Sequence, residues 1–245
     1  NHNNFPQYND PREEIYTKDL KIVAARLLAD CRELREAVTT NKKGEFSVDK
    51  EKMIDQLYLE QNIFYGTPKQ KPNVKESLFS SIMRKTGIAG YYNPFTGEAQ
   101  VVTGYPDTSF PFTVAHEMGH QVGVASENEA NFYSFMMGES STNKEYQYSV
   151  KYKALMYVLG DMYGKDSVYV NRSLENFSEG MKKDRNRERE FYAQMSGLGS
   201  GAFSFMNDVY LKSNSQSGVS SYNEVVRMIV SFYKKNHPHI FEIET

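Results

Sequence analysis

The chain has 245 residues, enough for one large domain, and its formal net charge at pH 7 is only −2. This near-neutral charge gives no electrostatic reason to expect a nucleic-acid partner. The single cysteine, Cys31, excludes an intramolecular disulfide framework and a cysteine-rich zinc site. No segment approaches the roughly 18 consecutive apolar residues that a membrane-spanning helix needs, and no signal peptide opens the chain.

Apolar residues at helical spacing predict two helices in the first quarter of the chain. Residues 17–38 carry leucine, valine and alanine every three or four positions, and residues 48–64 show a similar pattern. A segment with glycine and two prolines, residues 66–72, ends the second helix. We therefore predict an N-terminal helical hairpin, residues 1–72, that packs on a main domain of residues 73–245 within one compact unit.

The character of the sequence changes after a short predicted helix at residues 77–85. Residues 88–92 and 99–104 are rich in β-branched and aromatic residues, and turn-forming residues lie between them at 93–97. This pattern predicts a β-hairpin. Its second strand, residues 98–104, is a candidate edge for an extended peptide substrate, whose backbone would hydrogen-bond to it.

Residues 113–123 contain the pattern H-E-x-x-H, formed by His116, Glu117 and His120. Residues four apart lie on one face of a helix, so both imidazoles can reach a single metal ion while Glu117 points at a water that the ion binds. Zinc lowers the pKa of such a water, and the carboxylate can take its proton during attack on a carbonyl. The neighbouring residues are uncharged, which favours a buried helix over a surface helix with two incidental histidines.

A catalytic zinc usually has three protein ligands, so a third ligand must follow the motif. On a straight helix Glu127 would lie about 10 Å from His120 along the axis, too far to share an ion. Gly123 can end the first helix in a left-handed conformation, and Ser126 is a good N-cap for a second helix. Glu129 completes a capping-box pattern with Ser126. Glu127 is therefore the predicted ligand and Glu129 the structural residue, although the two glutamates could exchange roles.

The rest of the chain predicts further helices, at residues 127–138, 146–164, 203–212 and 222–235. A dense run of mixed charges at residues 181–190 is typical of a solvated helix face with ion pairs between successive turns. The glycine-rich residues 196–201 lack the lysine of a phosphate-binding loop and predict a hinge or tight turn. Two histidines near the C-terminus, His237 and His239, are interpreted as incidental.

Three segments, residues 90–99, 111–120 and 127–132, resemble an uncharacterised bacterial family of zinc-peptidase-like proteins, domain of unknown function 3810 (DUF3810). Residues 210–222 are similar to a segment near the end of those proteins, so the resemblance extends from about residue 74 to about residue 233. The run Glu127-Asn-Glu-Ala-Asn131 is also similar to the E-x-E-A-D segment of the CaaX-processing and HtpX membrane peptidases. Its first glutamate binds zinc in those enzymes, which again implies Glu127, while Asn131 stands in place of their aspartate.

The motif and the resemblance together imply a predominantly helical α+β fold, zincin-like, with a small β-hairpin or sheet beside the metal-binding helix. Proteins of this family generally carry hydrophobic helices before the catalytic part, and the sequence begins at Asn1 rather than at a methionine. We therefore expect a membrane-anchored protein whose soluble part, this chain, lies on the extracytoplasmic or cell-surface face of a bacterial membrane.

The predicted function is that of a zinc-dependent peptidase with Zn²⁺ as cofactor and a peptide or protein as substrate. Glu117 serves as general base and later returns the proton to the leaving amine. Such enzymes often add a side chain that stabilises the oxyanion, and Tyr222 is the candidate here. Two alternatives remain open: a non-catalytic interaction module that uses the metal as a staple, and a zinc hydrolase of a non-peptide amide. The sequence specifies neither a cleavage preference nor an oligomeric state.

Overall fold

The computed structural model describes residues 5–65, 73–76, 90–93, 98–101, 106–196 and 218–242. Within them lie eight α-helices, namely α1 (Thr17–Ala37), α2 (Lys50–Tyr65), α3 (Phe110–Gln121), α4 (Glu127–Glu139), α5 (Lys144–Tyr163), α6 (Ser167–Glu175), α7 (Glu179–Ser196) and α8 (Gly218–Asn236). A short 3₁₀ helix, Pro238–Phe241, follows α8. The helices predicted at 77–85 and 203–212 lie outside the described residues, as do nearly all of the glycine-rich residues 196–201.

The periodic segments of the sequence are helical in the structure. The predictions at residues 17–38, 48–64, 127–138 and 146–164 are confirmed by α1, α2, α4 and α5, and α8 contains residues 222–235. The sequence did not predict α6, which has only nine residues. Its start is nevertheless encoded locally, because the Asp166 side chain accepts a hydrogen bond from the backbone N–H of Tyr169 and so caps the helix.

The described residues include three strands of four residues each, namely β1 (Asn73–Glu76), β2 (Gly90–Asn93) and β3 (Glu98–Val101). β3 pairs with β2 in an antiparallel and with β1 in a parallel arrangement, so β3 lies between the other two strands. The idea that residues 98–101 offer a free edge to a substrate is therefore wrong, because both edges of β3 are already paired.

The described core is built by helices that pack on helices. α1 lies along α5, α3 and α4 pack against each other and against α5, and α8 covers α4 and α5. The buried apolar residues that the structure describes all lie in helices or in the segments next to them. The predicted zincin-like α+β class is therefore wrong, and the protein is a helical one. The extended-chain propensity of residues 88–104 is a local property, whereas in the described core the apolar faces of the helices are buried against other helices.

The N-terminal helices share this core. Residues of α1 and α2 belong to the same apolar cluster as those of α3, α4 and α5. Gln61 of α2, which is fully buried, donates a hydrogen bond from Nε2 to the backbone carbonyl of Met118 in α3, at 3.0 Å. The division of the chain at residue 72 into two domains stays a prediction. None of the described helices combines the length and the apolar character needed to cross a bilayer.

The charge run of α7 departs from its interpretation as a solvated face. Asp184 is 1% exposed and accepts hydrogen bonds from Arg35 Nε at 2.6 Å, from the backbone N–H of Phe46 at 2.7 Å and from the Tyr148 hydroxyl at 2.7 Å. It thereby joins α7 to α1 and α5. The interpretation fails for this residue because a helix with charges on every side still turns one stripe of positions towards its neighbours.

A second acidic residue of α7, Glu188, lies one turn further along and is also buried. Its carboxylate accepts a hydrogen bond from the Thr108 hydroxyl at 2.5 Å and another from the Tyr152 hydroxyl at 3.1 Å. Thr108 lies two residues before the first residue of α3. Glu188 therefore fixes the entry of the chain into the helix that carries the H-E-x-x-H motif.

Candidate metal centre

The helix α3 presents its two histidines at its last two turns. Pro111 occupies the first turn, where a missing N–H leaves no helical hydrogen bond unmade. After Gln121 the chain closes in a Schellman motif: the Gly123 N–H donates to the His120 carbonyl at 3.1 Å, and the Val124 N–H donates to the Gly119 carbonyl at 3.0 Å. Gly123 has φ +96°, a conformation that favours glycine, so its predicted role as the helix stop is confirmed.

The next helix, α4, starts four residues after this turn. Ser126 occupies the N-cap position with extended backbone, as predicted, but its side chain makes no capping hydrogen bond. The predicted capping box with Glu129 is therefore wrong. Glu127 and Glu129 both lie in the first turn, where carboxylates interact favourably with the helix dipole, so this helix start does not depend on the Ser126 hydroxyl.

The turn brings two imidazole nitrogens and one carboxylate group together. His116 Nε2 lies 3.1 Å from His120 Nε2 and 3.2 Å from Glu127 Oε2, and His120 Nε2 lies 3.4 Å from Glu127 Oε1. In a tetrahedral zinc site with bonds of about 2.0 to 2.1 Å, neighbouring ligand atoms are about 3.3 Å apart. The two nitrogens and the carboxylate group therefore form a triangle of the size that a single zinc ion spans. Within the described parts of the chain, these three residues form the one group of histidine, cysteine and acidic side chains that could hold a metal ion.

The other nitrogen of each imidazole shows where the protons lie. His116 Nδ1 is 2.9 Å from the Asn131 Oδ1 atom, and His120 Nδ1 is 2.7 Å from the Val124 carbonyl oxygen. A carbonyl oxygen only accepts hydrogen bonds, so each Nδ1 must carry the hydrogen. A neutral ring with its hydrogen on Nδ1 has a lone pair on Nε2. Two nitrogen lone pairs and the Glu127 carboxylate thus point at one position, and only a cation there, a metal ion or an added proton, makes that arrangement favourable.

The electrostatics of the ligand triangle agree with this description. The two histidines hold the pKa of Glu127 well below its usual range, so the carboxylate stays charged. Burial alone would lower the pKa of His120, but hydrogen bonds to Glu127 and to the Val124 carbonyl raise it overall. The site therefore attracts a positive charge.

Glu117 lies on α3 beside the first histidine and is 6% exposed. Burial raises the pKa of its carboxyl group, while the positive charge that His116 and His120 can carry acts in the opposite direction. A carboxylate with a raised pKa, adjacent to a metal position, has the properties of a general base that can later donate the proton that it has taken.

The triangle lies at the protein surface. The His116 and His120 side chains are 12% and 16% exposed, whereas that of Glu127 is 63% exposed. The exposure of the third ligand leaves one side of the triangle accessible from solvent. A metal ion held there could take a further ligand from that side, which distinguishes a catalytic site from a closed structural one.

The distance between α3 and α4 depends on a glycine. A Cβ atom added at Gly119 would lie 2.9 Å from Tyr133 Cδ1, closer than such atoms approach one another. The Tyr133 side chain belongs to α4 and is fully buried. The glycine inside the H-E-x-x-H motif therefore permits the close helix contact that carries Glu127 to the histidines.

The structure places the remaining predicted residues as follows. Glu129 is buried and is not part of the ligand group. Tyr222 lies in α8, two residues before Glu224, and its side chain is outside the described residues. Glu224 accepts a hydrogen bond from Asn128, the neighbour of Glu127, at 2.8 Å. The start of α8 is thus joined to the start of α4.

Sequence reasoning missed both acceptors behind the imidazoles. Asn131 had a visible signal, since it lies four residues after Glu127 and therefore on the same helix face. The Val124 carbonyl had no signal, because the identity of a residue does not tell where its backbone oxygen points.

No curated protein and no solved structure matches this chain significantly. The model of one family, described as a protein of unknown function (DUF3810), matches residues 1–230. This match includes the N-terminal helices, which precede the stretch from which the resemblance was identified. Since it covers nearly the whole chain, the protein belongs to the DUF3810 family.

Proposed function

We propose that the protein is a zinc-dependent peptidase that holds Zn²⁺ on His116, His120 and Glu127. One observation carries the proposal: two imidazole nitrogens and the two oxygens of one carboxylate converge, with the nitrogens 3.1 Å apart and each 3.2 or 3.4 Å from a carboxylate oxygen. Their spacing and chemical nature fit a two-histidine, one-glutamate zinc site. A structural staple would not need an acidic residue such as Glu117 beside it, and this favours catalysis.

A zinc ion bound there would supply a Lewis acid that polarises a water and a substrate carbonyl. The residues of the chain perform the proton transfers. Glu117 accepts the proton of the attacking water and then delivers it to the leaving amine. Burial raises the pKa of Glu117 and so favours the protonated carboxyl group that the second step uses. His116 and His120 keep their Nδ1 hydrogens, which are bound to Asn131 and to the Val124 carbonyl.

A peptide substrate would approach from the exposed side of Glu127. Tyr222 is the proposed donor of a hydrogen bond to the oxyanion that forms during attack. Its position in the chain supports this role, since Glu224, two residues later, is hydrogen-bonded to the neighbour of Glu127. The substrate class is a peptide or protein, and the chemistry needs no other cofactor.

The cellular location that we propose rests on the family resemblance alone. Membrane-anchored relatives imply that this part of the protein faces the extracytoplasmic or cell-surface side of a bacterial membrane. Fractionation of cells that express the full gene product, followed by protease accessibility of intact cells, tests this. A cytoplasmic, protease-protected domain would contradict it.

Metal analysis of the purified chain tests the proposed ligands. Wild-type protein should contain one zinc per chain after dialysis, and the single variants His116→Ala, His120→Ala and Glu127→Ala should lose it. His239→Ala is the matched control, because His239 is an exposed histidine near the C-terminus and away from the triangle. Zinc that persists in all three ligand variants would contradict the site.

A digest of a proteome-derived peptide library tests the activity. Wild-type protein should cleave peptides, and Glu117→Gln should retain zinc but lose cleavage by about 10²- to 10⁴-fold. Tyr222→Phe should lower kcat with little effect on zinc content. Undiminished cleavage by Glu117→Gln would refute the mechanism. Stoichiometric zinc without any peptide cleavage would instead favour the non-catalytic module or a non-peptide amide as substrate.

A further inference from the structure

Asn131 contacts a predicted metal ligand, His116, on the side of the ring that faces away from the metal position. It is 8% exposed, and its Oδ1 atom accepts a hydrogen bond from His116 Nδ1 at 2.9 Å. It lies on α4, one turn after Glu127, so a single helix face supplies both a ligand and the acceptor that orients another ligand. The hydrogen bond fixes the tautomer of His116 and the plane of its ring.

Asn131 is also uncharged, and this determines the charge of the site. The acceptor behind His120 is a backbone carbonyl, which is neutral as well. The three ligands and the two acceptors therefore carry a single negative charge, that of Glu127. A bound Zn²⁺ would keep one net positive charge within this group. An acidic residue at position 131 would cancel it and would make the His116 ring more basic.

We infer that Asn131 is a positioning residue whose neutral amide limits zinc affinity and leaves the ion a stronger Lewis acid. The inference rests on the proposed function insofar as zinc is the ion bound. It concerns the residue that accepts a hydrogen bond from the ligand His116, and not the ligands themselves. With a neutral acceptor, zinc binds more weakly, and the bound ion polarises water and substrate more strongly.

The conservative substitution Asn131→Asp separates a charge effect from a structural one, because the side chain keeps its shape and its acceptor oxygen. Competition with a chelator should show zinc binding about tenfold tighter than in the wild type. Asn131→Leu keeps the volume but removes the acceptor, and it should weaken zinc binding by about 10- to 100-fold. A residue that served packing alone would not produce tighter binding in the aspartate variant.

The matched control is Gln121→Glu, which adds one negative charge next to His120 without a hydrogen bond to a ligand ring. Gln121 is partly exposed, and its charge should change zinc affinity by less than about threefold because solvent screens it. An equal effect of Gln121→Glu and Asn131→Asp would refute the inference, since any nearby charge would then serve.

A kinetic readout adds a second test. At saturating zinc, Asn131→Asp should lower kcat while KM stays unchanged, because the change acts on the ion and leaves substrate contacts intact. Absence of zinc from wild-type protein would refute the proposed function itself. Zinc binding by the wild type with unchanged affinity in both Asn131 variants would refute only the role of Asn131. The unfolding midpoint of each variant, measured without metal, identifies a variant that has lost its fold.

Discussion

The substitution Gly119→Ala would perturb the contact on which the metal centre depends. A Cβ atom at this position would lie 2.9 Å from Tyr133 Cδ1, whereas carbon atoms in contact are at least about 3.5 Å apart. The two helices must then separate by roughly 0.6 Å, because the fully buried Tyr133 ring has no free space into which it could turn. Tyr133 and Glu127 belong to the same helix, so the shift carries Glu127 away from His116 and His120.

The effect on stability should be smaller than the effect on the metal. Overpacking costs about 1 to 3 kcal/mol, but alanine in a helix interior is favoured over glycine by about 1 kcal/mol. The net loss is therefore on the order of 1 kcal/mol, or a fall in Tm of about 2 to 4 °C. Metal–ligand distances tolerate only about 0.2 Å of error. A shift of roughly 0.6 Å should weaken zinc binding by at least about tenfold.

Chelator competition and differential scanning fluorimetry measure the two effects on the same samples. Gly164→Ala is the matched control, because a Cβ atom there meets no atom within 4 Å and its backbone is right-handed helical. The control should bind zinc as the wild type does, with equal or slightly higher stability. Wild-type zinc affinity in Gly119→Ala would refute the argument that this glycine sets the distance between the two ligand helices.

Three further predictions concern charged groups. Because burial raises the pKa of Glu117, its carboxyl group stabilises the fold progressively less as pH rises through that pKa. Metal-free Glu117→Gln should therefore gain free energy of unfolding relative to wild type as pH rises above 4.5, the ordinary pKa of a glutamate carboxyl group. Because Glu127 and the Val124 carbonyl raise the pKa of His120 despite its burial, a proton competes with zinc for His120 Nε2 at low pH, and zinc affinity measured by calorimetry should fall as pH drops through that raised pKa. Asp184→Asn should lower the free energy of unfolding in urea by about 3 to 5 kcal/mol, because Arg35 would be left as a buried, uncompensated charge.

Each of these has an outcome that contradicts it. A constant stability difference between Glu117→Gln and wild type across the pH range would show that the carboxyl group is not destabilised by burial. Zinc affinity that does not depend on pH would show that no proton is displaced from His120. Tyr148→Phe removes one hydrogen bond to Asp184 and should cost only about 1 kcal/mol. An equal cost for Asp184→Asn would contradict the buried ion pair.

The turn between the ligand helices was predictable because its determinants are local. Gly123 and Ser126 lie within six residues of His120, and helix ends follow rules that need only the neighbouring residues. The approach of Glu127 to the histidines follows from the same spacing. The contact that makes the approach close enough, between Gly119 and Tyr133, depends on how two helices pack, and helical periodicity alone does not specify it.

The fold class was not predictable in the same way. Short segments rich in β-branched residues indicate extended chain, but they do not tell what packs against the metal-binding helix. In the described part of the protein, α3 packs against α2, α4 and α5 and also contacts β2 and β3. Which elements pack together depends on contacts between residues far apart in the chain, and no local pattern reveals them. One example is the hydrogen bond from the Gln61 side chain to the backbone carbonyl of Met118.

In the charged helix α7, the spacing of residues indicates which side chains are buried but not which residues they contact. Met181, Asp184 and Glu188 recur at three- and four-residue spacing, so they lie on one helix face, and all three are buried. Treating the run as uniformly solvated ignored that stripe. The partners of these buried side chains could not be predicted from the helix alone, since Asp184 pairs with Arg35, 149 residues earlier. The consequence extends to function, because Glu188 binds Thr108 directly before α3. A helix whose composition indicates a solvent-exposed surface thus anchors the segment just before the helix that carries the two proposed histidine ligands.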